Sequence, residues 1–244
     1  VMGKYDVAVI GSGCGMIIAD EALGHGLKVA VVDKGPLGGT CLNLGCIPSK
    51  TLIFAADRVT EIEEARKLGV VAEIKSIDFA SIMERMRNNR EESRGHLEHG
   101  IHDVENLDFY EGEGHFVADR TIEVNGERVK GARVFIASGS RPMIPPIKGV
   151  DTIDYLTNES ALELTERPES LVIIGGGYIA VEFGHFFAAM GTRVTIVEML
   201  ERIAQSEEPE ISDLLEQELK KRMAVHTNTQ VSEMRGKGKG CVVV

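Results

Sequence analysis

The chain has 244 residues, of which 43% are apolar, so it can bury a core and is neither a disordered tail nor a low-complexity linker. Its 38 acidic residues outnumber its 27 Lys and Arg residues, and the net charge of −11 disfavours nucleic-acid and anionic-membrane binders, because both polyanions would repel the chain. Four Cys are too few for a secreted disulfide scaffold, and no apolar stretch approaches the roughly 18 residues of a membrane span. The N-terminus has no basic region before an apolar run, which argues against a signal peptide and predicts a cytoplasmic location.

The first segment of the chain predicts a strand, a glycine-rich turn, a helix and a second strand. An apolar run over residues 5–10 ends at a turn over 11–15, a helix is predicted over 16–23, and a buried strand over 28–32 ends in Asp33. This order of elements is typical of a βαβ unit.

The residues of this turn suit the binding of a dinucleotide. Gly11 permits a tight turn and Gly13 lets the backbone approach a pyrophosphate, which faces the positive end of the following helix. Asp33, 22 residues after Gly11, suits a carboxylate that accepts hydrogen bonds from an adenosine ribose. Met16 stands where a third glycine, which permits close packing of helix on strand, is usual, and we expect Gly15 to allow a small shift that accommodates Met16. The alternative is an ordinary glycine-rich turn that binds nothing.

The same pattern returns in the second half of the chain. A strand is predicted over residues 171–174, a turn over 175–177, a helix over 178–190, and a strand over 193–197 that is followed by Glu198. Two tandem units make chance a poor explanation, and they predict two nucleotides, a flavin and a nicotinamide cofactor.

Glu198 bears on the choice of nicotinamide cofactor. A carboxylate at this position binds the free ribose diol of NAD and repels the 2′-phosphate of NADP. Arg193 precedes the strand and is badly placed to reverse that preference, whereas Arg202 lies close enough in sequence to weaken it. The sequence therefore predicts NAD.

Further elements are predicted between and beyond the two units. They are helices over residues 48–67 and 79–106, strands over 109–116 and 133–137, a hairpin of 121–124 with 128–129 around Asn125-Gly126, and an amphipathic helix over 207–223. Asp78 is predicted to cap the second of these helices, and four prolines between residues 142 and 168 indicate a linker. The apolar run over 240–244 is predicted to be a strand.

The most specific run contains two cysteines five residues apart. Cys46 lies just before the predicted helix start at Pro48, where the positive helix end and the charge of Lys50 favour thiolate over thiol. If the segment coils, Cys41 comes close enough to form a disulfide, which beside a flavin would accept two electrons and pass them on by thiol–disulfide exchange. The alternative is two unrelated buried cysteines.

No metal site is predicted. His96, His99 and His102 are spaced three apart, but successive steps of three drift by about 60° around a helix, so we expect a solvated helix face. Cys14 and Cys241 have no partner motif and are interpreted as structural.

The run GGTCLNLGCIPSK over residues 38–50 closely resembles the redox segment of the pyridine nucleotide–disulfide oxidoreductases, in the form of the branch that contains dihydrolipoamide dehydrogenase, mercuric reductase and mycothione reductase. The turn over 138–142 and the segment over 175–182 fall in the family's order, so the resemblance covers essentially the whole chain. It implies an α/β fold of two Rossmann-like three-layer domains, truncated before the dimerisation domain. Residues 1–145 would be the first segment of an FAD-binding domain with the redox disulfide, and residues 146–244 an incomplete NAD-binding domain.

The resemblance implies catalytic roles for four residues. Cys46 would be the charge-transfer thiol next to the flavin, and Cys41 the interchange thiol that meets the substrate. Lys50 would lie near the flavin and pair with Glu182, which would lie near the nicotinamide. Tyr178 matches an aromatic residue that covers the flavin until nicotinamide displaces it, with plain packing at the helix start as the alternative.

The resemblance also implies a set of contacts with FAD and NAD. These residues are Gly11, Ser12, Gly13, Gly15, Met16, Asp33, Lys34, Gly39, Thr40, Cys41, Cys46, Lys50, Gly114, His115, Ala137, Ser138, Gly139, Gly175, Gly177, Tyr178, Ile179, Glu182 and Glu198.

The function that the resemblance implies is that of a flavoprotein disulfide oxidoreductase, similar to dihydrolipoamide dehydrogenase, with a small lipoamide-like disulfide or dithiol as substrate. It also implies a homodimer formed through a C-terminal domain absent from this chain, which supplies a His–Glu acid–base pair. The alternatives are an enzyme similar to mercuric or mycothione reductase, a non-catalytic nucleotide-binding fragment, and a diaphorase or oxidase that bypasses the disulfide.

Overall fold

The computed structural model describes residues 2–237 and 240–244, and the chain forms two compact units. The first contains the residues up to Pro48 together with Arg87–Arg141, and the second contains Ser49–Met86 together with Pro142–Val244. Each unit contains a sheet of parallel strands followed by helices, which confirms the predicted α/β fold.

The first unit contains one six-stranded sheet. Its strands lie in the order β3 (Leu107–Glu111), β2 (Val29–Asp33), β1 (Met2–Ile10), β6 (Glu127–Ile136), β5 (Thr121–Val124) and β4 (His115–Ala118). The first four are parallel to one another, and the last two join through antiparallel pairs. Helix α1 (Gly15–Gly24) connects β1 to β2.

The core of the first unit lies on both faces of β2. Val29 and Val31 pack with α1 on one face, and Ala30 and Val32 pack with β5 on the other. Because both faces of the strand are covered, residues 29–32 are all apolar and show no alternation of apolar and polar residues.

The second unit contains two sheets and most of the helices. Its parallel sheet has the order β7 (Ser170–Ile174), β8 (Arg193–Val197) and β9 (Ala224–His226), and β10 (Met234–Lys237) pairs antiparallel with β11 (Gly240–Val243). The helices after the linker are α5 (Asn158–Ala161), α6 (Tyr178–Ala189) and α7 (Pro209–Leu219). Phe186 and Phe187 of α6 are fully buried and form the centre of the core with Leu52, Met83 and Ile196.

Three helices lie between β2 and β3 in the chain. They are α2 (Gly39–Asn43), α3 (Cys46–Glu64), which continues as the 3₁₀ turn Ala65–Leu68, and α4 (Phe79–Ile101). A second 3₁₀ turn, Val150–Thr152, lies in the proline-containing linker. The carboxylate of Asp78 accepts a hydrogen bond from the Ser81 amide at 3.0 Å, which confirms the predicted helix cap.

Three predicted elements were too long. The helix predicted over 207–223 begins at Pro209, because the residue before a proline is held out of the helical conformation, and it ends at Leu219. The helix predicted over 79–106 ends at Ile101, where a turn begins in which the Asp103 amide donates to the Gly100 carbonyl oxygen at 3.2 Å, and residues 102–106 form the loop before β3. The strand predicted over 109–116 is two strands, since Gly112 has a φ of 154° and breaks the extended run between β3 and β4. The strand segments predicted over 128–129 and 133–137 form the single strand β6, because it pairs with β1 along almost its whole length.

The predicted hairpin is confirmed. Asn125 and Gly126 join β5 to β6 with φ values of 51° and 80°, and positive φ at both central residues is what a two-residue turn between antiparallel strands requires. Among the residues described, no helix is long and apolar enough to cross a membrane.

Candidate active site

The predicted site residues of the first unit lie where its parallel strands end. The turn over residues 11–13 follows β1, Asp33 ends β2 and is followed by Lys34, and residues 137–139 follow β6. Gly114 and His115 follow β3 and begin β4. Ligands of open α/β sheets bind beyond the carboxyl ends of the strands, so the fold brings these candidates to the expected edge.

Gly11 is held in a conformation that only glycine adopts easily. Its φ is 103°, and a Cβ atom at this position would lie 2.1 Å from the carbonyl oxygen of Ala137. The turn therefore passes directly over the end of β6, and any side chain here would force the two segments apart.

The nucleotide turn and the redox segment touch through two glycines. A Cβ atom on Gly39 would lie 2.5 Å from the Cα atom of Gly13, so the two backbones approach with no side chain between them. Gly15 is buried, and a Cβ atom there would lie 2.5 Å from a methyl group of Val9. Gly15 therefore lies where α1 packs closely on β1, the contact that a third glycine usually permits.

Asp33, the last residue of β2, stabilises the turn over residues 11–13 by hydrogen bonding. Its two carboxylate oxygens accept hydrogen bonds from the Ser12 amide at 2.5 Å and from the Gly35 amide at 2.9 Å. Ser12 is fully buried, and within the described residues its hydroxyl has no hydrogen-bond partner. No side chain caps the start of α1. A buried hydroxyl that lacks a partner, an uncapped helix end and a carboxylate fit the phosphates and ribose of a dinucleotide such as FAD.

The second unit repeats this arrangement. Gly175 follows β7 with a φ of 102°, and Gly177 precedes the first residue of α6. The carboxylate of Glu198, only 8% exposed, accepts hydrogen bonds from the Gly176 amide at 2.5 Å and the Leu200 amide at 2.7 Å. Both units therefore use a carboxylate at the end of the second strand to fix the amide that follows the first glycine.

The two arginines nearest to Glu198 in sequence do not pair with it in the described structure. Arg202 forms an ion pair with Asp213 at 2.9 Å and another with Glu201. Arg193 is the first residue of β8, whereas Glu198 follows the last. The geometry therefore supports a preference for NAD, since a 2′-phosphate would meet a carboxylate at this point.

Tyr178 and Ile179 begin α6 and are 72% and 42% exposed. The alternative interpretation, that Tyr178 packs into the helix start, is wrong. Both side chains are open to solvent beside the second glycine-rich turn.

The two cysteines predicted to form a redox pair, Cys41 and Cys46, lie on consecutive helices. Cys41 is in α2, which is too short to predict from periodicity, and Cys46 is the first residue of α3. The predicted helix start at Pro48 was two residues late, and the observed start places Cys46 itself in the first turn, where backbone N–H groups lack helical partners. Both cysteine side chains are exposed, so the alternative of two unrelated buried cysteines is wrong.

The two thiols interact directly. A hydrogen bond with Cys46 raises the pKa of the Cys41 thiol, and partial burial and the charges of Cys46 and Cys14 raise it further, against a smaller opposing effect of the Cys46 backbone. Cys41 therefore holds its proton more tightly than an isolated cysteine does.

Sequence reasoning missed Asn43, which braces the segment that carries Cys41. Asn43 is 3% exposed, and its amide group donates hydrogen bonds to the carbonyl oxygens of Leu37 at 2.8 Å, Gly39 at 2.9 Å and Pro36 at 3.4 Å. The only signal in the sequence was the position of a polar residue between two cysteines. That position does not show which carbonyl oxygens the Asn43 side chain contacts.

Lys50 and Glu182 pair as predicted. The Lys50 ammonium donates to one carboxylate oxygen of Glu182 at 2.5 Å, and the Ser49 hydroxyl donates to the other at 2.8 Å. Farther along the same two helices, His185 and Asp57 lie 3.0 Å apart. Ser49 was missed because its partner lies 133 residues away in sequence.

The remaining cysteines and histidines form no further site in the part of the chain that the structure describes. No group of three His, Cys, Asp or Glu residues is placed to hold a metal ion. His96, His99 and His102 are exposed, as expected of a solvated face. Cys14 and Cys241 are also exposed, so burial does not support their interpretation as structural.

Comparisons with known proteins place this arrangement in a family. The chain is 37% identical over 218 residues to a mercuric reductase of Staphylococcus aureus, which covers 89% of this chain and 40% of that protein. It is 38% identical over 225 residues to a dihydrolipoyl dehydrogenase of Geobacillus stearothermophilus, which covers 90% of this chain and 47% of that protein. The HOCl-induced flavoprotein disulfide reductase RclA from Escherichia coli has a similar structure, with a TM-score of 0.84 at 29% identity over 98% of this chain and 53% of RclA.

The chain thus spans about half the length of the relatives it matches, or somewhat less. The sequence pattern of the pyridine nucleotide-disulphide oxidoreductases matches residues 5–244. Proteins of this family use FAD and a nicotinamide nucleotide. Since the match extends over nearly the whole sequence, the chain belongs to the pyridine nucleotide-disulphide oxidoreductase family.

Proposed function

We propose that the protein carrying this chain is an FAD- and NAD-dependent oxidoreductase that reduces or forms a small disulfide through Cys41 and Cys46. The observation that carries the proposal is the contact between the two exposed thiols, on a segment whose Gly39 touches the nucleotide turn at Gly13. In the reductive direction, one NADH and one proton are consumed, one S–S bond is broken, and NAD⁺ and two thiols are formed.

We propose that residues 1–145 bind FAD and that residues 146–244 bind NAD(H). Bound FAD would supply the chemistry that connects a two-electron hydride donor to a sulfur pair. The turn that begins at Gly11 would hold its phosphates, with Asp33 on the ribose. Glu198 would take the corresponding position for NAD(H).

The two cysteines would carry out the exchange with the substrate in two displacements. The sulfur of Cys41 attacks one sulfur of the substrate disulfide, which forms a mixed disulfide and releases one substrate thiol. Cys46 then attacks the Cys41 sulfur, which releases the second thiol and leaves the Cys41–Cys46 disulfide. Because the pKa of Cys41 is raised, the first displacement needs a base, and the His–Glu pair implied outside this chain would supply it.

We propose a lipoamide-like dithiol or disulfide as the substrate. The 38% identity to a dihydrolipoyl dehydrogenase supports it, and the similar identity of 37% to a mercuric reductase makes a metal-reducing relative the second candidate. Turnover of lipoamide and of mercuric ion, compared side by side, separates the two. The homodimer and the cytoplasmic location stay predictions.

Thiol labelling tests the proposed function directly. The protein at its natural length, loaded with FAD and kept free of oxygen, should show Cys41 and Cys46 blocked to N-ethylmaleimide as isolated and both labelled after one equivalent of NADH. Cys14 and Cys241 are exposed and should be labelled in both states, so they serve as internal controls in the same mass spectrum. Identical labelling of Cys41 and Cys46 before and after NADH would exclude a redox disulfide.

The choice of nicotinamide provides a further prediction. We expect kcat/KM for NADH to exceed that for NADPH by at least about tenfold, because burying a phosphate against the Glu198 carboxylate costs about 1–3 kcal/mol. Glu198→Gln should narrow the ratio, since it removes the negative charge and keeps the size of the side chain. Glu207→Gln is the matched control, because Glu207 is exposed and its replacement leaves the ion pairs of Arg202 with Glu201 and Asp213 in place. Equal kcat/KM values for the two cofactors in the unmodified protein would contradict the assignment.

A further inference from the structure

The carboxylate of Glu182 is held by two donors of different character. Lys50 donates from a side chain that is 60% exposed, whereas Ser49, on the first turn of α3, is 8% exposed and donates to the other oxygen at 2.8 Å. The Glu182 side chain is itself only 25% exposed. The Lys50 ammonium also lies 3.5 Å from the Ser49 hydroxyl, which closes a three-membered polar cluster.

The two donors constrain Glu182 unequally. A lysine ammonium is a point charge on a flexible stem, which attracts a carboxylate from many directions and fixes its plane poorly. A serine hydroxyl on a buried backbone has one short side-chain bond to rotate, so it loses little entropy when it is fixed. Removal of Lys50 would change the charge around Glu182, whereas removal of the Ser49 hydroxyl would release one of its oxygens.

We propose that Ser49 is a positioning residue that fixes the orientation of the Glu182 carboxylate for its contact with the nicotinamide cofactor. The inference rests on the proposed function, in which Glu182 lies near the nicotinamide. Ser49 itself touches neither substrate nor cofactor in this assignment, and it acts only through Glu182.

A double-mutant cycle on the full-length, FAD-loaded protein tests this inference. Two quantities are measured for Ser49→Ala, Glu182→Gln and the double variant. One is the dissociation constant of NAD⁺ for the oxidised protein, by calorimetry, and the other is the rate of flavin bleaching by saturating NADH. We expect Ser49→Ala to worsen at least one of them by about tenfold, the scale of a lost hydrogen bond to a charged group. In the Glu182→Gln background the same change should have less than a twofold effect.

Two controls separate positioning from folding. Ser81→Ala removes an exposed serine from the first turn of α4 and should leave both quantities unchanged. Ser49→Thr retains a hydroxyl and should recover most of the loss. The thermal midpoint of each variant shows whether it is folded, and a change in the midpoint without a change in binding or rate would mean that Ser49 is only structural.

Each remaining outcome overturns a different statement. If Ser49→Ala has the same effect with and without Glu182, Ser49 acts by another route and the inference is wrong. If Glu182→Gln is impaired but Ser49→Ala is not, the inference fails and the proposed role of Glu182 stands. If Glu182→Gln changes neither binding nor rate, the role of Glu182 in the proposed function fails and the inference fails with it.

Discussion

Replacing Cys41 with Ser in the full-length protein should lower the turnover of its disulfide substrate by on the order of a thousandfold or more, because a hydroxyl cannot form the mixed disulfide. Cys46→Ser should lower turnover by a similar factor for a different reason. Cys41 can still attack the substrate in that variant, but no second thiol is present to displace the product. The reduced Cys46→Ser protein should therefore accumulate a substrate adduct on Cys41, which mass spectrometry detects, and Cys41→Ser should not.

Two control experiments test whether the loss of turnover comes from Cys41 and Cys46 alone. Oxidation of NADH by ferricyanide bypasses the thiols and should persist in both variants, which shows that FAD and NADH still bind. Cys14→Ser should retain substrate turnover, although Cys14 lies close enough to affect the proton of Cys41. Substrate turnover that survives both Cys41→Ser and Cys46→Ser would favour the diaphorase or oxidase alternative.

Replacing Gly11 with Ala should destabilise the first unit more than Gly175→Ala destabilises the second. The two glycines have nearly the same φ, 103° and 102°, so both variants carry a similar backbone strain of about 1–3 kcal/mol. They differ in surroundings. A Cβ atom on Gly11 would lie 2.1 Å from the Ala137 carbonyl, whereas on Gly175 it would meet no atom of the described structure within 4 Å. The clash should add about 1–3 kcal/mol to the cost of Gly11→Ala.

Denaturant unfolding of the FAD-free protein measures the loss of unfolding free energy in each variant. The flavin content of the purified variants measures the effect of each substitution on FAD binding. Gly95→Ala is the control, because Gly95 lies inside α4 with open space around it and should gain roughly 0.5–1 kcal/mol from the better helix former. Equal losses for Gly11→Ala and Gly175→Ala would show that the contact with Ala137 relaxes at no cost.

The elements that the sequence predicted well are those with a strong local signal. The glycine-rich turns and the largely apolar strands β2 and β8 are determined by neighbours within a few residues, and so is the hairpin at Asn125. The short elements α2 and β9 were missed because five and three residues are too few to show a period. The end of α4 was placed five residues too late, because Gly100, at the observed end of the helix, was not used as a stop signal.

The contacts of the candidate site also fall into two groups, those that a local sequence pattern predicted and those that it did not. The spacing of Gly11 and Asp33 identified a carboxylate that does fasten the turn, because the βαβ connection itself brings the two together. The contacts of Ser49 with Glu182 and of His185 with Asp57 depend on how distant segments pack, which no local pattern encodes. Lys50 and Glu182 were paired through resemblance to a family, and not from any periodicity in this chain.

The close approach of the Gly39 backbone to Gly13 limits how this protein can be redesigned. Gly39 cannot gain a side chain unless the turn at Gly13 withdraws, because its Cβ atom would lie 2.5 Å from the Gly13 Cα atom, whereas a Cβ atom on Gly13 would make only an ordinary contact with Gly39 at 3.5 Å. A designer who grafts CLNLGC onto another nucleotide-binding scaffold therefore has to carry Gly39 as well if the host turn approaches the graft as closely as this one does.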